Sequence, residues 1–302
     1  MKGAQDFSGV FAALTTPFAS DGAVSIENLK FNLESYNRTA LAGYVVLGST
    51  GESVLLTDLE MAAVLEAARE SAGSGKKLLA GTGAESTQET IERTKRAGKM
   101  GYDAALVKTP YYYKPAYKAA VLIEHYRRVA DASPIPVFLY SVPIFTGLAL
   151  EAPEVTALAS HPNILGIKDS SGNVQRISEM IDGAGAEFQV LVGAAGTVLP
   201  CLTMGARGAI LALACAVPEK CAELFEHFQA GRRKEARELQ KLLARLSRVV
   251  MSENGIAGVK HVMDRRGMRG GIPRLPLPAL TDQQKSSVDE VLSTLEPVAA
   301  RG

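Results

Sequence analysis

The sequence predicts a (β/α)8 TIM barrel, a closed ring of parallel strands wrapped by helices, carrying a C-terminal helical appendage. Three observations predict it. Short apolar runs recur eight times along the first 217 residues. They are apolar nearly throughout instead of alternating with polar residues, as strands buried on both faces must be. Between them lie longer amphipathic segments that carry helix-start signals.

The runs, in order, are Val10–Leu14, Tyr44–Leu47, Lys77–Ala80, Ala104–Val107, Pro136–Tyr140, Ile164–Ile167, Phe188–Val192 and Ala209–Leu213. Ser25 before Ile26-Glu27 suits an N-cap, and Thr57-Asp-Leu-Glu60 and Ser86-Thr-Gln-Glu89 read as capping boxes. Eight strand–helix alternations in about 215 residues match a closed barrel. An open doubly wound sheet is the rival, but its dinucleotide loop is missing. Neither Gly73-Ser-Gly75 nor Gly81-Thr-Gly83 continues into GxGxxG, and no GxxxxGK[ST] phosphate loop occurs. Beyond Val217 the pattern turns wholly helical, over Pro218–Ala230, Arg233–Val250 and Gly255–Met268. Gly270-Gly271 and the proline-rich Ile272–Pro278 interrupt it, and a final helix begins at Asp282. Residues 1–217 therefore read as the catalytic barrel and 218–302 as the helical region.

Composition excludes several functions. Lys and Arg number 33 against 32 Asp and Glu, a formal net charge of +1. No basic stripe interrupts that balance, so neither nucleic acid nor an anionic membrane is an expected partner. The run Arg232-Arg233-Lys234 is answered by Glu235 and Glu238, as on a solvated helix face. Cys201, Cys215 and Cys221 are odd in number and form no CxxC, and the four histidines show no ligand spacing. Met1 to Asp6 lacks an apolar signal region, and no apolar run is long enough to span a bilayer. The expectation is a soluble cytoplasmic protein.

In such a barrel the reactive groups end the strands and fill the loops that follow. Those positions hold Thr15-Thr16-Pro17, Gly48-Ser-Thr-Gly-Glu-Ser53, Lys108-Thr-Pro-Tyr-Tyr-Tyr113, Tyr140-Ser-Val-Pro143, Lys168-Asp-Ser-Ser-Gly172 and Gly193. Lys168 closes the apolar stretch Ile164-Leu-Gly-Ile-Lys168, where desolvation disfavours the ammonium and frees an amine to attack a ketone. The resulting iminium is an electron sink for carbon–carbon bond making or breaking. The bland alternative is a lysine reaching out to Asp169. Lys108 ends the fourth run in the same way, and periodicity does not rank the two. Tyr140 ends the fifth run and could relay a proton, or could simply be satisfied at the core edge. The amides and hydroxyls of residues 48–53 could cradle a carboxylate, although a Gly/Ser turn is usually only a turn.

Taken as an ordered set, these stretches resemble the pyruvate-dependent class I aldolases and lyases. This family includes dihydrodipicolinate synthase, N-acetylneuraminate lyase and 4-hydroxy-2-oxoglutarate aldolase. The likeness runs through Gly48-Ser-Thr-Gly-Glu-Ser53, Thr109-Pro-Tyr-Tyr112, Tyr140-Ser-Val-Pro-Ile-Phe-Thr-Gly147, Gly166-Ile-Lys-Asp-Ser-Ser-Gly172 and Gly255-Ile-Ala-Gly-Val-Lys260. It implies that Lys168 forms a Schiff base with pyruvate and that Tyr140 shuttles protons. It implies that Thr50 and nearby amides bind the oxo-acid carboxylate, while Ser49 links Tyr140 to a Tyr112 from a neighbouring subunit. Gly193 and Ile210 would line the substrate site mostly through backbone atoms. The resemblance further implies a homotetramer built as a dimer of dimers, an aldehyde as second substrate, and no metal or organic cofactor.

Phe145 departs from the pattern. Synthases of the family resembled carry arginine there to hold the aldehyde's carboxylate, and a phenyl ring offers no such donor. Together with Ser133-Pro-Ile-Pro-Val-Phe-Leu-Tyr-Ser-Val-Pro143, His161-Pro-Asn-Ile-Leu-Gly-Ile-Lys-Asp-Ser170 and Leu78-Leu-Ala-Gly-Thr-Gly-Ala-Glu-Ser-Thr-Gln88, it leads to the expectation of 4-hydroxy-2-oxoglutarate cleavage to pyruvate and glyoxylate. The alternatives are a dihydrodipicolinate synthase condensing pyruvate with aspartate semialdehyde, for which Phe145 predicts poor condensation, and a non-catalytic 2-oxo acid-binding barrel.

Overall fold

Eight parallel strands close into a ring in a computed structural model, which describes residues 5–295. They are β1 (Gly9–Ala13), β2 (Gly43–Val46), β3 (Lys77–Gly81), β4 (Ala104–Lys108), β5 (Val137–Ser141), β6 (Ile164–Asp169), β7 (Gln189–Val192) and β8 (Gly208–Leu211). Each pairs with its sequence neighbour, and β8 returns to β1 with Phe11 opposite Ile210. The open-sheet rival is thereby excluded. Every strand departs from its predicted span by one or two residues at an end, and two of the shifts show their cause. Leu47 takes φ 60 and leaves the ladder, so β2 ends at Val46. β8 stops at Leu211 and the chain turns into a short helix at Leu213–Ala216.

Alternation along the strands sorts side chains into two cores. Phe11, Ala13, Val45, Leu79, Leu106, Phe138 and Ile210 fill the barrel interior, with Phe7 closing its lower end against Phe138. The opposite faces, such as Val46, Ala105, Val107 and Leu139, pack under the surrounding helices. This double burial is why the strands read as continuous apolar runs.

The caps follow their chemistry. Ser25 accepts from the Asn28 amide, and Thr57 and Glu60 cap each other reciprocally. Ser86 accepts from the Glu89 amide, but the return contact is missing because the Glu89 carboxylate pairs with Arg93 at 2.7 Å. The predicted helix over Arg233–Val250 ends at Ser247 and gives way to a π-helical turn, Arg248–Glu253, before the helix Gly255–Arg265. The last described helix is Asp282–Leu292. Residues 1–4 of the N-terminal stretch and 296–302 of the predicted helical region lie outside the described residues. No described helix is long and apolar enough to cross a membrane.

Candidate active site

The facing of Lys168 depends on one extra residue. Between β5 and β6 the register runs Val137 to Ile164 and then Phe138 to Gly166, so Leu165 has no partner of its own. Leu165 points into the barrel. Strict alternation from there would turn Ile167 inward and Lys168 out. The bulge reverses that parity: Ile167 packs under the helices, and Lys168 enters the mouth beside Tyr140, its register partner. Gly166 makes room at the bulge, since any Cβ there would strike the Phe138 ring. Lys168 is only 3% exposed, and its Nζ lies 4.3 Å from the centre of the Tyr140 ring. It does not reach Asp169, whose carboxylate accepts instead from the amide and hydroxyl of Ser171.

The turn at residues 48–53 supplies the facing wall. Its backbone is unusual: Leu47 and Glu52, neither a glycine, both adopt positive φ, at 60° and 54°. Such residues cost on the order of 1–3 kcal/mol each and persist only where the surroundings enforce them. Here the Thr16 hydroxyl donates to the Gly51 carbonyl at 2.7 Å. The Glu52 carboxylate, wholly buried, meets the Lys260 ammonium at 2.6 Å and accepts from the Arg274 amide at 2.8 Å. The C-terminal helical region therefore holds this turn from behind. In front, the Ser49 hydroxyl stands 3.3 Å from the Tyr140 hydroxyl, and Thr50 is buried.

These groups line a cavity of about 310 Å³ at the C-terminal mouth of the barrel, enough for a small oxo acid and a second small molecule. Ser49, Thr50, Tyr140, Phe145, Lys168 and Gly193 all reach it. A Cβ on Gly193 would collide with Ser170, so glycine there lets the Ser170 hydroxyl border the cavity. Two expected residues stand elsewhere. Ile210 is buried in the barrel interior, and Leu211 to Leu213 form the wall in its place. Tyr112 is 73% exposed with its ring edge-on to Tyr113, and it makes no contact with Ser49 within this chain. Sequence reasoning missed Ser247, Met251, Ser252 and Gly255, which the π-helical turn brings over the cavity. No local pattern announces that turn.

A lysine and a phenol facing one cavity at a barrel mouth define a class, the carbon–carbon lyases that work through a lysine Schiff base, and this chain is an enzyme of that class. More narrowly, it belongs to the dihydrodipicolinate synthetase family, whose model matches residues 6–295. It is 37% identical over 290 residues to a 4-hydroxy-tetrahydrodipicolinate synthase of Methanothrix thermoacetophila, covering 96% of this chain and 97% of the relative. Among solved structures it resembles the dihydrodipicolinate synthase of Acinetobacter baumannii complexed with pyruvate. That match has a TM-score of 0.89 and 33% identity, over 95% of this chain and 98% of the other. The synthase DapA-2 of Bacillus anthracis gives a TM-score of 0.91 at 29% identity, over 96% and 99%.

These likenesses overturn the expectation of 4-hydroxy-2-oxoglutarate cleavage, because the curated relatives matched along nearly their whole length are synthases. The physical reason lies in Phe145. Its ring is 58% exposed at the rim of the cavity. A missing charge on one rim loop does not decide which charges the other strands bring to the site.

Proposed function

We propose that this enzyme condenses pyruvate with aspartate semialdehyde, as the named activity of its relatives suggests. The observation that carries the reading is the buried Lys168 amine beside Tyr140, whose hydroxyl is within reach of Ser49. Lys168 Nζ adds to C2 of pyruvate, and the Tyr140 hydroxyl passes a proton to the departing oxygen, which leaves as water. Loss of a C3 proton converts the iminium to an enamine. Its carbon attacks the aldehyde carbonyl, which takes up a proton to become a hydroxyl. The substrate's own amine then displaces Lys168 from C2, closing the ring and freeing the enzyme. Thr50 and the amides of its turn hold the pyruvate carboxylate. Tyr112 completes the proton path from a second copy within a homotetramer, a role its exposure in the single chain permits. Three free, buried thiols, Cys201, Cys215 and Cys221, suit a reducing cytoplasmic setting.

Borohydride reduction in the presence of pyruvate tests the reading. One stable adduct should map to Lys168 and vanish in Lys168→Ala. An adduct on Lys108 instead would overturn the assignment. Aspartate semialdehyde consumption dependent on pyruvate should accompany it.

A further inference from the structure

We propose that Lys108 holds the carboxylate of the aldehyde substrate and so sets specificity for an acidic electrophile. This rests on the condensation reading above and names the group that the reading lacks. A carboxylate drawn into a desolvated mouth without a partner is strongly disfavoured, and Phe145 offers no donor.

The geometry points to β4. Ala104 and Leu106 face the barrel interior, so Lys108, two residues further, faces the mouth. In register it stands opposite Tyr140, which in turn stands opposite Lys168. Lys108, Tyr140 and Lys168 thus occupy one row across three adjacent strand ends. A second cavity of about 260 Å³ adjoins the first and shares Ser49, Val142 and Phe145 with it. Lys108 lines this cavity. Among the described residues it is the one cation besides Lys168 on the walls of the two cavities. Glu52 also borders the second cavity, but its charge is matched by Lys260.

Its place is built. A Cβ on Gly83 would lie 2.6 Å from the Lys108 amide and 2.9 Å from its Cγ, so the lysine stem occupies space that glycine leaves. Nζ donates to the Gly83 carbonyl at 2.6 Å and lies 5.5 Å from the centre of the Tyr111 ring. An ammonium has three donors, and among the described residues the Gly83 carbonyl is the one acceptor that Nζ meets. The charged neighbours are Glu85 and Arg93. Glu85 makes no ion pair with Lys108, since its carboxylate accepts from the amides of Tyr111 and Tyr112 at 3.1 and 2.9 Å. His125 and the hydroxyls of Tyr111 and Tyr140 are the other titratable groups facing this region. Burial lowers the Lys108 pKa to about 8, so the free enzyme is charged there below that pH and neutral above it.

The test compares two aldehydes that cannot close a ring, succinate semialdehyde and propanal, with pyruvate consumption as the readout. The variants are Lys108→Met and Lys108→Gln. The carboxylated aldehyde should lose roughly 10²-fold in kcat/KM, the scale of one desolvated charged contact, mainly through KM. Propanal should change by less than about threefold, far below that scale. The ratio of the two kcat/KM values, which cancels any ionisation common to both reactions, should fall above about pH 8 in the unsubstituted enzyme. In Lys108→Met it should be flat. Equal losses on both aldehydes, or no loss on either, would sink the proposal even where pyruvate trapping at Lys168 is intact. Failure of trapping in the unsubstituted enzyme would instead sink the condensation reading and this one with it.

Discussion

Lys260→Met removes the charge behind the 48–53 turn while keeping a stem of similar length. Lys260 and Glu52 are both wholly buried, with Nζ and Oε1 2.6 Å apart. After the substitution, the Glu52 carboxylate retains the Arg274 amide at 2.8 Å, and the carbonyls of Thr16 and Ile272 lose donors at 2.9 and 2.8 Å. Burial holds the Lys260 pKa below the ordinary lysine value even against the pull of Glu52. Breaking one side of such a pair costs about 3–5 kcal/mol. An exposed pair such as Lys30 with Glu70 is worth about 0–1 kcal/mol. Urea unfolding should therefore show a loss of about 3–5 kcal/mol for Lys260→Met. In Glu52→Gln/Lys260→Met no charge is stranded, and the cycle should give a coupling of about 1–3 kcal/mol. Because the released turn carries Ser49 and Thr50, KM for pyruvate should rise in folded Lys260→Met. A loss below about 1 kcal/mol, the range of solvent-screened pairs, would refute the claim that this contact enforces the turn.

Tyr140→Phe keeps the ring under Lys168 but deletes the hydroxyl, so kcat should fall by about 10²–10⁴ with little change in pyruvate KM; an effect under roughly threefold would pass the relay to water or another group. If Tyr112 acts across a subunit contact, light scattering should find a homotetramer and Tyr112→Phe should lower kcat, whereas a fully active monomer would remove the cross-subunit role. Arg274 hydrogen-bonds Glu60 and holds its pKa down to about 2. This depressed carboxyl contributes stability above its unfolded value of about 4.5, lost as pH falls from there towards 2. Arg274→Gln should flatten the acid limb of a stability–pH curve in that window, and an unchanged limb would assign the loss to other carboxylates.

The legible parts of the chain are those whose causes are local. Strand runs such as Ala104–Lys108 can be read because burial on both faces leaves no polar alternation. Caps such as Thr57 with Glu60 can be read because both partners lie within one turn. The Ser86–Glu89 box is only half right, because Arg93, one turn further along, competes for the same carboxylate. The motif set places Lys168, Tyr140, Ser49 and Thr50 around one mouth, and the folded chain brings those four together. Phe145 misleads, because a rim residue read alone says nothing of the cation on β4.

The sequence by itself determines a barrel of doubly buried strands and the chemical types that end them. Its periodicity leaves Lys108 and Lys168 as equals, and only the motif resemblance singles out Lys168. Tertiary structure separates them in space: the unpartnered Leu165 turns Lys168 into the first cavity, whereas Lys108 on β4 lines the second. It also decides that Glu52 meets Lys260 and that a π-helical turn roofs the site. Propensity, capping and burial act on neighbours along the chain and so leave a local trace. Strand register, barrel closure and a buried ion pair join segments far apart in sequence, and their partners are set only when the ring closes.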